Sequence, residues 1–211
     1  MKHPIRTVAA LAPAIVLALG LAGCEKNPLL VKRSSCPAVA VPSYAGDITR
    51  FPPGVAPDAA NIDMMATITN VRENCTETAS QFQVGVTYDV VARRNAAGPA
   101  RQVVLPVFVV VVQGGNVIQA KALGEVKVDF ADNNLRGVGR GTATASVSRA
   151  AASLPEDIVA RINRNRRAGD MDAATDPLAD PEIRARMRAA NFEVLLGFQL
   201  DERSLAYNVA R

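Results

Sequence analysis

Residues 82–90, Phe-Gln-Val-Gly-Val-Thr-Tyr-Asp-Val, place Phe82, Val84, Val86, Tyr88 and Val90 on one side of an extended chain and Gln83, Thr87 and Asp89 on the other. Alternation of this length demands a strand with one face in a core and the other in water. Residues 103–112, Val-Val-Leu-Pro-Val-Phe-Val-Val-Val-Val, are apolar at every position and rich in β-branched side chains. That run is too short to span a bilayer as a helix, so it reads as a strand covered on both faces. Pro106 inside it calls for a bulge or an unpaired amide in the ladder.

Outward from these two runs the same pattern recurs. Ile62, Met64, Ala66 and Ile68 alternate with Asp63, Thr67 and Thr69, and Asn95 to Pro99 is a turn cluster. Gly114-Gly115 followed by Val117 to Phe130 predicts a hairpin. Leu135 to Val147 reads as a further strand or a bent pair, and a proline-punctuated opening holds a strand near Ala38 to Val41. The period changes at Ser153-Leu154-Pro155-Glu156, a capping-box pattern that predicts a helix carrying Leu154, Ile158, Val159 and Ile162 on one face and stopping at Gly169. Asp180-Pro181 starts a second helix to about Ala190, with Ile183 and Met187 inward. Strands are expected again over Phe192 to Leu200 and near Leu205 to Val209. The fold expectation is therefore mainly β: an antiparallel β-sandwich, roughly immunoglobulin-like, with a helical hairpin at 151–190 inserted before the last strands. An outer-membrane barrel would want aromatic girdles, and six Phe with three Tyr and no Trp do not supply them.

The amino-terminal residues read as an address. Lys2 and Arg6 form a short positive segment, and Thr7 to Leu21 carries no charge. This is the charged region and apolar region of an export signal. It ends in Leu21-Ala22-Gly23-Cys24. That tetrapeptide resembles the lipobox of bacterial lipoproteins. The resemblance implies a diacylglyceryl group on Cys24, cleavage before it, and an acylated new terminus. Residues 1–23 are then a lipoprotein signal peptide, 24–35 a lipidated tether and 36–211 the folded domain. Glu25 at the second mature position implies passage to the outer membrane, facing the periplasm. The competing reading is a soluble secreted protein cut after a small residue, with Cys24 incidental. Further along, Leu105-Pro106-Val107-Phe108-Val109, Lys121, Gly197-Phe198-Gln199-Leu200 and Leu205-Ala206-Tyr207-Asn208 are similar to uncharacterised envelope lipoproteins of Alphaproteobacteria. That likeness implies an envelope protein with a β-rich domain and implies no activity.

From Cys24 onward the chain has 188 residues, 22 Lys plus Arg, 20 Asp plus Glu and no histidine. A charge near +2 gives no electrostatic case for nucleic acid. Without histidine, a Ser- or Cys-based triad lacks its usual base. With Cys24 lipidated, Cys36 and Cys75 are left to pair in an oxidising compartment; two free thiols are the alternative. Two thiols without histidine or CxxC spacing do not close a zinc site. Asp170, Asp172, Asp176 and Asp180 form the one acidic run, but it lacks the sixth-position glycine and twelfth-position glutamate of a calcium loop. Arg161, Arg164, Arg167, Arg184 and Arg188 flank that run as candidate contacts for an anionic partner, against the simpler reading of solvated helix faces paired with local aspartates. No metal and no cofactor is expected. The functional expectation is a non-catalytic binding module, held at the membrane through Cys24 and meeting a protein or polymer of the envelope. Alternatives are an accessory lipoprotein of an assembly or secretion complex and, third, a carboxylate-based glycan hydrolase.

Overall fold

The computed structural model describes residues 36–210, so the expected signal peptide 1–23 and the expected lipidated tether 24–35, Cys24 included, lie outside the described residues. Its strands are β1 (Ala38–Ala40), β2 (Asp47–Arg50), β3 (Met64–Glu77), β4 (Gln81–Arg94), β5 (Arg101–Gln113), β6 (Val117–Phe130), β7 (Arg136–Ser148) and β8 (Phe192–Phe198). The helices are α1 (Glu156–Asn163), α2 (Pro181–Ala190) and α3 (Glu202–Ala210). All eight strands join one sheet in the order β1-β8-β5-β6-β7-β4-β3-β2, antiparallel throughout except for the parallel β1–β8 pair. The mainly β expectation holds; the two-sheet, immunoglobulin-like arrangement is replaced by a single curled sheet, a half-barrel.

Connectivity forces the curl. The two edge strands, β1 and β2, are consecutive in the chain and separated only by residues 41–46. A flat sheet of this order would hold its edges about 34 Å apart at the usual strand spacing. The connecting residues reach at most about 25 Å. The sheet therefore bends until its margins approach, and the connection is stitched to both sides: Ala45 O accepts from Phe198 N (2.7 Å) and Gly46 O from Ile68 N (2.8 Å). Strands of 13 and 14 residues, β3 to β7, are long enough to twist through this bend without splitting into two sheets.

The bend buries the concave face on itself. The alternating residues of β4, Phe82 to Ala92, meet Met64, Ala66 and Ile68 of β3, Leu105 to Val111 of β5, Val126 to Phe130 of β6 and Phe192 to Phe198 of β8 in one cluster. Charged groups such as Asp89 and Arg140 lie on the outer face, the reverse of the lipid-facing alternation of a membrane barrel. Where β7 crosses β4, Gly141 lies under the Tyr88 ring, and any Cβ there would fall on the phenol. β6 and β7 pair only over Val128–Phe130 and Gly137–Gly139, so the sheet is nearly parted there.

The opposite margin is closed by chemistry. Cys36, just before β1, is disulfide-bonded to Cys75 of β3, 39 residues on, and Val39 N donates to Glu73 Oε2 across the same gap (3.2 Å). The register of β3 against β4 shifts between Thr69 and Arg72, just before the half of β3 that carries Glu73 and Cys75. In β5, Val109 to Val112 are all buried, as the unbroken apolar run required, while Val104 at its start is exposed. Pro106 causes no bulge. Its carbonyl accepts from Gln199 N, and its missing N–H falls just past the last β8 pair, Val107 with Phe198.

Three local expectations are corrected. The capping box does not form: Ser153 Oγ donates back to Arg149 O, and Pro155 begins α1 without a side-chain cap. α1 stops at Asn163, not at Gly169, because the arginine-rich residues after it have no apolar face to bury; Gly169 instead makes a turn at φ +103°. The last segment is helix α3, not a strand. Asp201 Oδ1 accepts from Ser204 N (2.7 Å), and the buried side chains are Ser204 and Asn208, one turn apart. Asn208 Nδ2 donates to Tyr44 O and Asp47 O, so α3 straps the β1–β2 connection with polar contacts while Leu205 and Val209 face solvent. Among the described residues, no helix is long and apolar enough to cross a membrane.

Candidate functional site

The helical insertion sits against the outer face of β5. Ile158 of α1 and Ile183 of α2 are its buried residues, and Gln113 Nε2 donates to Ala189 O while Gly114 N donates to Asn191 O. Asp180 caps α2 by accepting from Glu182 N (2.8 Å), with Pro181 in the first turn, as the Asp-Pro pair predicted. Met187, expected to point inward with Ile183, is 38 % exposed: the helix has a single buried anchor, and the adjacent face is left open.

The four aspartates do not converge. Asp170 Oδ2 accepts from Arg167 N (3.0 Å), Asp172 pairs with Arg164 (3.0 Å) and Arg166 (3.4 Å), Asp176 caps Leu178 N (2.9 Å), and Asp180 is paired with Arg161. The carboxylates turn to arginines and backbone N–H groups and not to one another, and no group of three metal-ligating side chains exists among the described residues.

The five candidate arginines divide. Arg161 bridges Asp180 (2.5 Å) and Glu182 (2.9 Å), tying α1 to α2; the Glu182 carboxylate, with Asp180 beside it, holds that guanidinium even more firmly protonated than usual. Arg164 is neutralised by Asp170 and Asp172. Arg167 contributes its backbone N–H to the 167–170 turn, and its guanidinium forms no ion pair among the described residues. Arg184 and Arg188, one turn apart on α2, also form no ion pair there. These two line an open cleft of about 540 Å³ together with Leu178, Pro181 and Met187. Leu178 and Met187 were not read as site residues; their signal is the spacing of Pro181, Arg184 and Arg188 at three and four residues, which puts a cationic stripe and apolar groups on one helix face.

Elsewhere, charge is consumed by the fold. Arg94, 3 % exposed, donates to the carbonyls of Asn134 (2.7 Å), Pro99 (2.8 Å), Gly98 (2.6 Å) and Ala131 (3.2 Å), and its guanidinium lies 5.4 Å from the Phe130 ring centre. It locks the β4–β5 loop to the β6–β7 turn, and nothing in its sequence neighbourhood announced this. Asp89 is held below the usual carboxylate range by hydrogen bonds from Asn70 and Arg140, and Asp201 by the Ser204 N–H and hydroxyl; burial alone pushes the Tyr88 phenol up. Of the clefts beside α2, between β1 and β3, beside α3 and beside Arg94, the first has no carboxylate and the others hold only Glu73, Asp201 and Asp63 respectively.

No family model matches the chain, and comparison with curated proteins and with solved structures finds no match.

Proposed function

We propose that this chain is a lipid-anchored lipoprotein of a bacterial cell envelope, on the outer membrane facing the periplasm, which works by binding and not by catalysis. The observation that carries the reading is the Cys36–Cys75 disulfide. It takes two of the three cysteines and leaves Cys24, in Leu21-Ala22-Gly23-Cys24, as the remaining thiol, at the end of an uncharged apolar run. A structural disulfide belongs to an oxidising compartment, which is where an export signal delivers a chain. The eleven residues between Cys24 and Cys36 reach at most about 40 Å, so an acyl anchor keeps the sheet within roughly its own diameter of the bilayer. Arginines of α2 that form no ion pair among the described residues, and four clefts each lined by at most one described carboxylate, favour recognition of an anionic surface over the glycan-hydrolase alternative.

Replacing Cys24 tests this. Cys24→Ala should move the protein from the membrane pellet to the soluble fraction; undiminished retention in the pellet contradicts the anchor. A second reading, docking of the helical insertion on an envelope assembly or secretion complex, draws on the same open face of α2.

A further inference from the structure

Charge within the helical insertion is balanced in number and unbalanced in place. Seven arginines between 161 and 188 face seven acids between 156 and 182. The acids are gathered toward α1 and the 170–182 segment, where Arg161, Arg164 and Arg166 or backbone N–H groups occupy Asp170, Asp172, Asp176, Asp180 and Glu182. Beyond Glu182, α2 carries Arg184, Arg186 and Arg188 and no acid. A position in the last turn, near the negative end of the helix dipole, explains Arg188 by local stability. It does not explain Arg184, nor why Leu178 (43 % exposed) and Met187 (38 % exposed) stand open in the cleft that the two arginines line. Fixed positive charge flanking exposed apolar groups is the chemistry of a surface that meets phosphate and hydrocarbon together.

We propose that the cleft formed by Leu178, Pro181, Arg184, Met187 and Arg188 is a docking site for the anionic headgroups of the bilayer, a reading that rests on the lipid-anchored function above. Arg184 and Arg188 donate to phosphate oxygens, a geometry that guanidinium favours, while Met187, Leu178 and Pro181 sit against the glycerol and upper acyl carbons. The tether sets the high local concentration under which two arginines and three small apolar contacts suffice for a defined orientation. The occupant is a lipid surface and not an enclosed small molecule, because the cleft is open along α2 and its polar groups are all cationic donors. Docked this way, the helical insertion faces the membrane.

The test uses the full chain purified from membranes and placed in vesicles of phosphatidylcholine alone or mixed with phosphatidylglycerol. Hydroxyl-radical oxidation of Met187 is read by peptide mass spectrometry, with exposed Met65 on β3 as the internal control. The expected result is about threefold slower oxidation of Met187 on anionic than on neutral vesicles, with Met65 unchanged. Arg184→Gln with Arg188→Gln should abolish the difference, and the milder single Arg184→Gln should reduce it. Equal rates on both vesicles, protection already present in detergent (a second copy in the cleft), or protection by an acidic peptide but not by lipid would overturn the proposal. An unacylated Cys24 measured on the same sample would remove the anchor while leaving the Met187 result to stand or fall separately.

Discussion

Arg94, at the end of β4, is buried and donates to four backbone carbonyls, whereas Arg184 and Arg188 on α2 form no ion pair with any described group. The same side chain serves two ends. In the sheet, bending brings the carbonyls of two surface loops around one buried guanidinium, whose five donors bind four of them at once. On the insertion, two isoleucines, Ile158 and Ile183, are buried beneath short helices, and Arg184, Met187 and Arg188 are left open to another surface. Stability therefore resides in the sheet and its closures, and the proposed recognition rests on what the insertion leaves unpaired.

The largest effect should come from reopening the closed margin. Cys36→Ala with Cys75→Ala releases a loop of 39 residues and should lower unfolding free energy by about 4 kcal/mol in urea titration. A loss below about 1 kcal/mol would mean that the 41–46 connection closes the sheet unaided. Next, Arg94→Met should cost about 3 kcal/mol by removing the four charge-assisted hydrogen bonds that join the two loops, while Arg184→Gln with Arg188→Gln should change stability by less than about 0.5 kcal/mol. Similar losses from the two variants would erase the distinction between them. The smallest effect concerns α3. Because Asp201 titrates below the usual carboxylate range when its oxygens accept from Ser204, its contribution is full above that range and is lost as pH falls through the folded-state value. Amide exchange in α3 should therefore accelerate in acid before exchange in β4 does, and Asp201→Ala should reproduce the acceleration at neutral pH, costing about 1 kcal/mol.

The parts legible in the sequence were those governed by a single local rule. Period-two alternation located β3 and β4, Gly114-Gly115 located the β5–β6 turn, where both glycines take positive φ, and cysteine arithmetic paired Cys36 with Cys75. What was hidden depended on distant partners. The curl follows from which strands are neighbours, and no periodicity encodes that two consecutive short strands occupy opposite margins of the sheet. α3 was read as a strand because its buried face is Ser204 and Asn208, polar residues whose carbonyl partners lie at Thr49, Tyr44 and Asp47. The cleft on α2 was half visible: Arg184 and Arg188 stood out as charges, but their lack of partners depends on where Asp170 to Glu182 found theirs.

Acylation of the chain at Cys24 is the claim from which the membrane-facing reading descends, and intact-mass spectrometry of protein extracted from cell membranes addresses it most directly. The account predicts a polypeptide beginning at Cys24 and heavier than its 188 residues by the mass of a diacylglyceryl group, with or without a further acyl chain. A polypeptide of all 211 residues with no added mass would contradict it.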